Sequence, residues 1–149
     1  MQFMLLLKGD PGNPHDEQAG ESAGPNDELV SAMLRYHEEL VEAGVYVSAE
    51  GLLPSATGKR VASKRGRRKV IDGPFTEAKE LVAGYYIIDV ASLDEAVEWA
   101  SKCPVEYACE GDMEAVVEIR RIATLDEVDG ISEENRAAHR QFQERLVGP

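Results

Sequence analysis

At 149 residues, 43% hydrophobic and 30% charged, the chain has the size and composition of one globular domain with a substantial core. Its net charge of −12 argues against general binding to nucleic acid or anionic membranes. No apolar run approaches the roughly 20 residues that span a bilayer. Met1–Leu7 is apolar but lacks the basic start and cleavage site of a signal peptide, so the cytoplasm is the expected compartment. Cys103 and Cys109 make no disulfide framework, and no Cys/His cluster has zinc spacing. Both read as free packing thiols, and neither a metal nor a cofactor is expected.

Gln2–Lys8 reads as a strand with Phe3, Leu5 and Leu7 on one face and Met4 and Leu6 on the other. Gly9–Pro25, with four glycines and three prolines, is a long loop suited to a lid. A helix over Asn26–Ala43 is stopped by Gly44. Its apolar arc holds Leu29, Val30, Met33, Leu34, Tyr36, Leu40 and Val41, with His37 aimed at the sheet. Val45–Gly51 alternates as a second strand. Arg60–Ser63 and Lys69–Ile71 form a hairpin in which seven of the sixteen basic residues crowd between Lys59 and Lys69. With 28 acidic residues available, internal neutralisation of those charges is expected.

Val82–Val90 is a strand with two apolar faces, one bearing Tyr85 and Ile87, the other Tyr86, Ile88 and Val90. A helix from Ser92 to Cys103 opens with the Ser92/Glu95 capping box and buries Leu93, Ala96, Val97, Ala100 and Cys103. Ala115–Ile122 is a last strand. A C-terminal helix from Ser132 carries a thin stripe of Ala138, Phe142 and Leu146, expected to pack onto the domain. The order β-α-β, basic hairpin, β-α-β predicts an α+β, ferredoxin-like split βαβ arrangement. Two helices cover one sheet face only, so a homodimer with the second faces packed together is expected.

Asp72-Gly73-Pro74-Phe75 organises the middle of the chain. It reads either as a rigid turn, with Gly73 free to take positive φ, or as a device that aims Asp72 and Glu77 into a cleft. His37, in an apolar layer, needs a polar neighbour, and a turn carboxylate or a bound small molecule could serve. His37 and Asp72 are therefore the candidate proton-transfer pair. Asp10, Glu50, Glu77 and Lys79 sit at strand ends or turns where a cleft could collect them. Tyr86 could line the pocket or, preferentially, the dimer seam. His15 and His139 carry no assignment.

Taken together, several motifs resemble the DGPF (YCII-related) family. They are Gly9-Asp10, Ala43-Gly44-Val45, Glu50-Gly51-Leu52, Asp72-Gly73-Pro74-Phe75, Glu77 with Lys79-Glu80, Gly84-Tyr85-Tyr86-Ile87-Ile88-Asp89 and Glu98-Trp99-Ala100. The resemblance covers Met1 to Ile122 and implies a dimeric α+β barrel of ferredoxin-like subunits, leaving 123–149 as a C-terminal helical extension. Two departures stand out. Arg121 follows Glu118-Ile119-Arg120 where the family has proline, and His37 falls about one helical turn from the histidine of the YciI-like branch, whose His–Asp pair is held to be catalytic. Some family members are associated with extracytoplasmic-function sigma factors, and one relative dechlorinates a chlorinated hydroxyhydroquinone.

Two functions follow as expectations. One is a small-molecule-binding protein working as a cofactor-independent lyase or isomerase through His37 and Asp72. The other is a regulatory module, linked to transcription, that contacts an acidic partner through the basic hairpin.

Overall fold

The computed structural model describes residues 1–10, 27–77, 80–108 and 114–148. Their regular elements are β1 (Gln2–Lys8), α1 (Asp27–Glu42), β2 (Tyr46–Gly51), β3 (Lys59–Lys64), β4 (Arg67–Asp72), β5 (Val82–Asp89), α2 (Leu93–Ser101), β6 (Val117–Arg121) and α3 (Glu133–Val147). The expected cap at Asn26 lies outside the described residues. The chain is mixed α+β. Four strands form an antiparallel sheet in the order β2-β5-β1-β6, and β3 and β4 form a separate two-stranded ribbon. Because β5 separates β2 from β1, and β1 separates β5 from β6, both βαβ units are split, as in ferredoxin-like domains.

Register explains the core. Phe3 lies opposite Ile88, Leu5 opposite Tyr86 and Ile119, and Leu7 opposite Gly84 and Val117. A period of two puts all of these on one face. Tyr36 and Leu40 of α1, with Ala96 and Cys103 from the α2 side, close over them, and Leu5, Leu40 and Ile88 are 0% exposed. Met4, Leu6, Tyr85 and Ile87 line the opposite face and are only half-buried.

The helical stripes differ from their expected positions. In α1, Ala32, Tyr36 and Leu40 are buried while Val30, Leu34 and Val41 are exposed. The last three sit roughly 120–160° around the axis from Tyr36 at 3.6 residues per turn, too far to reach the same sheet. The second helix ends at Ser101, short of the expected Cys103; Ala96 is buried in it and Cys103 just beyond its end, Trp99 and Ala100 are partly so, and Leu93 and Val97 stay exposed on the flank. The Tyr36 hydroxyl donates to the Trp99 carbonyl at 2.8 Å, tying the two helices together. Ser92 caps α2 by accepting the Glu95 N–H at 3.2 Å. The Glu95 carboxylate accepts the Ala91 N–H at 2.9 Å. The strict alternation expected from Val45 fails because the β2–β5 register shifts between Tyr46 and Ser48. Val47 falls at that shift and is exposed, while Tyr46 and Ala49 pack on the core.

The hairpin forms with longer strands than expected, closed by Arg65 and Gly66 at φ 49° and 78°. Positive φ at both positions is the two-residue turn that matches strand twist. The C-terminal helix begins at its Ser132 cap, whose hydroxyl oxygen accepts the Asn135 N–H at 3.2 Å. It is attached by polar contacts instead of its apolar stripe. Arg136 donates to the carbonyls of Leu125 and Val128, and no residue of α3 is buried; Ala138, Phe142 and Leu146 are exposed. A cleft of about 320 Å³ lies between this helix and the corner of the sheet at Gln2 and Ile122.

Cys103 is a free buried thiol, while Cys109 lies outside the described residues. Burial, aided by the Glu106 carboxylate, pushes the Cys103 thiol up from 9.0 to about 12. A group held neutral in this way contributes stability that is complete below its ordinary value and is lost as pH rises through the raised one. The melting temperature should therefore fall between about pH 9 and 12, and Cys103→Val should reduce that fall. Equal pH slopes in the two proteins would refute the assignment.

Candidate functional site

Three segments meet beyond the end of β1. Gly9 turns the chain at φ 138° and its N–H donates to the Leu81 carbonyl at 3.0 Å. The next residue, Asp10, accepts the Ser55 backbone N–H at 2.7 Å on one carboxylate oxygen and the Ser55 hydroxyl on the other. The Ser55 oxygen in turn accepts the Phe75 N–H at 3.0 Å. Gly73 N–H donates to the Gly58 carbonyl at 3.0 Å, and the Arg60 guanidinium stacks 3.8 Å above the Phe75 ring. Ser55 thus links Asp10, the turn it opens after β2, and the turn that follows β4.

The Gly73–Pro74 peptide is cis, and Gly73 does not use the positive φ expected of it. Glycine is needed there for space, since a Cβ would lie 1.8 Å from the Ser55 carbonyl oxygen. Asp72 ends β4 opposite Lys59, and its exposed carboxylate pairs with that lysine. Glu77 is exposed, as is Glu50, which lies opposite Tyr85 in the register of β2 and β5. Lys79, His15 and all of the lid expected over Gly9–Pro25 beyond Asp10 lie outside the described residues.

His37 does point toward the sheet, half-buried against rings. Its centroid is 5.6 Å from that of Tyr46 and 5.1 Å from that of Tyr86. Tyr86 also meets Tyr36 edge-on at 5.2 Å and directs its hydroxyl to the Met33 sulfur at 3.4 Å. Tyr86 is therefore under the helices, and the preferred placement in a sheet-to-sheet seam does not hold. Burial raises both the Tyr36 and Tyr86 phenols, keeping them protonated and uncharged.

No hydrogen bond or ion pair joins His37 to Asp72 among the described residues. The two belong to different sheets' surroundings, and Lys59 already occupies the Asp72 carboxylate. Asp10 is brought to Ser55 and Phe75; Asp72, Glu50 and Glu77 are not. Ser55 and Tyr46 escaped the sequence reading. The Pro54-Ser55 step marks a turn, but its long-range partners leave no periodic signal. Among the described residues, no group of three or more His, Cys, Asp or Glu side chains could hold a metal ion.

Residues 1–126 match the model of the YCII-related domain. The chain belongs to the YCII-related domain family. An uncharacterised protein of Rhizobium meliloti (strain 1021) is 43% identical over 60 residues, covering 40% of this chain and 48% of that relative. The match thus spans about half the relative's length. In this YCII-related chain the matched residues include both the Asp10–Ser55–Phe75 junction and the His37 ring cluster, while α3 lies beyond them. No helix among the described residues is long and apolar enough to cross a membrane.

Proposed function

We propose that the chain is a small-molecule-binding protein whose ligand sits against His37 between α1 and the sheet. One observation carries this reading. The His37 imidazole is half-buried between two tyrosine rings and makes no hydrogen bond to any described residue. No fully buried side-chain nitrogen or oxygen among the described residues lacks a partner, so its ring nitrogens stay reachable. An imidazole beside aromatic walls suits a planar ligand and could take or return a proton. With an enolisable ligand, that is the chemistry of cofactor-independent isomerisation or elimination. Tyr86 and Tyr46 form the wall, and the Asp10–Ser55 junction fixes the loops beyond β1. Asp72 takes no part in proton transfer in this reading, because its carboxylate answers Lys59.

The half-buried face bearing Met4, Leu6, Tyr85 and Ile87 is, in the same reading, the seat of a second copy, giving a homodimer with sheets face to face.

A thermal-shift screen of planar carbonyl and phenolic compounds finds the ligand class. His37→Gln should then weaken binding of a hit by about tenfold or more, roughly 1.4 kcal/mol, while Asp72→Asn leaves it unchanged. Undiminished binding by a folded His37→Gln protein would remove His37 from the site.

A further inference from the structure

An amphipathic helix ordinarily meets its domain by an apolar stripe. The third helix does not. Ala138, Phe142 and Leu146 are exposed, and the face that lines the cleft against the sheet corner carries Arg136, His139, Arg140 and Gln143. Steps of three and four put these four on one side of the helix. The apolar stripe lies roughly 110° around the axis from them. Arg136 and His139 are half-buried, so this polar side is the covered one. Across the cleft of about 320 Å³ lie Ile122 and Leu125, both half-buried, on the segment that leaves β6. The Ile122 N–H donates to the Gln2 carbonyl at 2.9 Å, which fixes that floor to β1.

Two guanidinium groups and one carboxylate, that of Asp126, line the cleft. Arg136 is the fixed cation. Its side chain is 17% exposed, and it donates to the carbonyls of Leu125 and, at 2.8 Å, of Val128, with the Asp126 carboxylate 3.5 Å away. Arg140 is the available one. Its side chain is 52% exposed; one nitrogen pairs with Glu133, and the other stands 3.8 Å from Asp126, beyond hydrogen-bonding distance. An exposed pair such as Arg140–Glu133 adds little to stability, so an anion in the cleft can draw the guanidinium inward. His139 Nε2 and Gln143 Nε2 are 3.2 Å apart, and the Gln143 amide has a second N–H to give. Donors on one wall and an apolar floor opposite are the makeup of a small-ligand site, and the volume falls at the lower end of such sites.

We propose that this cleft binds a small organic anion, its carboxylate or phosphate group on Arg140, His139 and Gln143 and its apolar body on Ile122 and Leu125. A guanidinium takes either group through two parallel hydrogen bonds. A bare inorganic ion leaves the floor uncovered, and a cation meets two guanidinium groups. Asp126 opposes the anion, but Arg136 and Arg140 both face its carboxylate. The site is independent of His37, and its donor wall lies beyond the residues matched to the YCII-related domain.

Titration of the whole chain with benzoate and with phenyl phosphate, followed by backbone amide NMR at constant ionic strength, tests it. Saturable shifts should appear at Ile122–Asp126 and Arg136–Gln143, and the better of the two compounds tells carboxylate from phosphate. Arg140→Gln should weaken binding about tenfold, and Asp126→Asn should strengthen it severalfold by removing the opposing charge. His37→Gln should leave it unchanged. Acetate and inorganic phosphate, which lack the apolar body, should bind at least about tenfold more weakly. Both substituted positions on the cleft are exposed, and circular dichroism verifies folding. The proposal is overturned if neither compound gives saturable shifts at these amides, or if Arg140→Gln binds as the unaltered chain does. Inorganic phosphate or acetate binding as tightly as the aromatic compounds would reduce the cleft to a site for an adventitious ion only. Shifts confined to the surroundings of His37 would assign the compounds to that site and overturn this one.

Discussion

Ile88→Glu should abolish folding, whereas Ile87→Glu should leave a folded chain with weakened self-association. The two residues are neighbours on β5 and differ only in face. Ile88 is 0% exposed, opposite Phe3, inside the cluster closed by α1 and α2. An unpaired carboxylate placed there either ionises in an apolar layer or stays protonated without a hydrogen-bond partner. The cost is several kcal/mol, and lost packing adds to it, against a total stability of about 5–15 kcal/mol. Ile87 lies on the other face, half-buried beside Met4 and Leu6. A carboxylate there keeps access to water in the single chain and opposes only the face-to-face pairing proposed above. Circular dichroism melts and sedimentation velocity separate the outcomes. A one-residue slip in register would exchange the two phenotypes, so a folded Ile88→Glu with an unfolded Ile87→Glu would refute the sheet itself.

The parts of the fold legible in the sequence are those governed by period and turn chemistry. Strands β1 and β5 announce themselves by apolar residues on both faces. Gly44 and Ser92 mark boundaries through local backbone demands, and the order of elements then leaves few sheet topologies. Period alone could not say which edge of a broad apolar arc meets the sheet. Val30, Leu34 and Val41 fit the α1 arc as well as Tyr36 does, but Tyr36 reaches Trp99 and Tyr86, and that rotates the helix away from them. The shift in β2 is likewise silent, since Val45, Val47 and Ala49 alternate perfectly until Tyr46 takes the core position.

At the site, the helical position of His37 was enough to aim it inward. Its neighbours were not legible, because Tyr46 and Tyr86 come from two other elements. Asp72 was expected to serve His37, yet cross-strand register gives it to Lys59. Ser55 was invisible for the same reason at longer range, its partners Asp10 and Phe75 being 45 and 20 residues away. Charge shows a further limit of composition. The carboxylates outnumber the cations, but counting does not say where they fall, and none of the described ones reaches the cations of the ribbon beyond Lys59.

Gly73→Ala should be the costliest glycine substitution near that junction. A Cβ there would lie 1.8 Å from the Ser55 carbonyl oxygen, 2.7 Å from its carbon and 3.3 Å from the Ala56 nitrogen. All three are backbone atoms, so no flexible side chain can move aside. The strain can be relieved only by parting the turn from Ser55. That breaks the Phe75–Ser55 bond and the Gly73–Gly58 bond, and it loosens the stacking of Arg60 on Phe75. At about 1 kcal/mol for each hydrogen bond, with re-exposure of Phe75 added, the loss should be about 3 kcal/mol. For a chain of this size that lowers the melting temperature by about 10 °C. Gly51→Ala is the control, with nothing within 4 Å of its added Cβ, and should melt close to the unaltered protein. Ser55→Ala alone removes two hydrogen bonds, to Asp10 and from Phe75, and should cost about 2 kcal/mol, but added to Gly73→Ala it should cost only about 1 kcal/mol, because the Phe75–Ser55 bond is already broken and the Asp10 bond alone is left to lose. Thermal melts of the four variants check both points. A Gly73→Ala protein that melts with the control, or a double variant whose losses simply add, would show that the turn and Ser55 are not in contact.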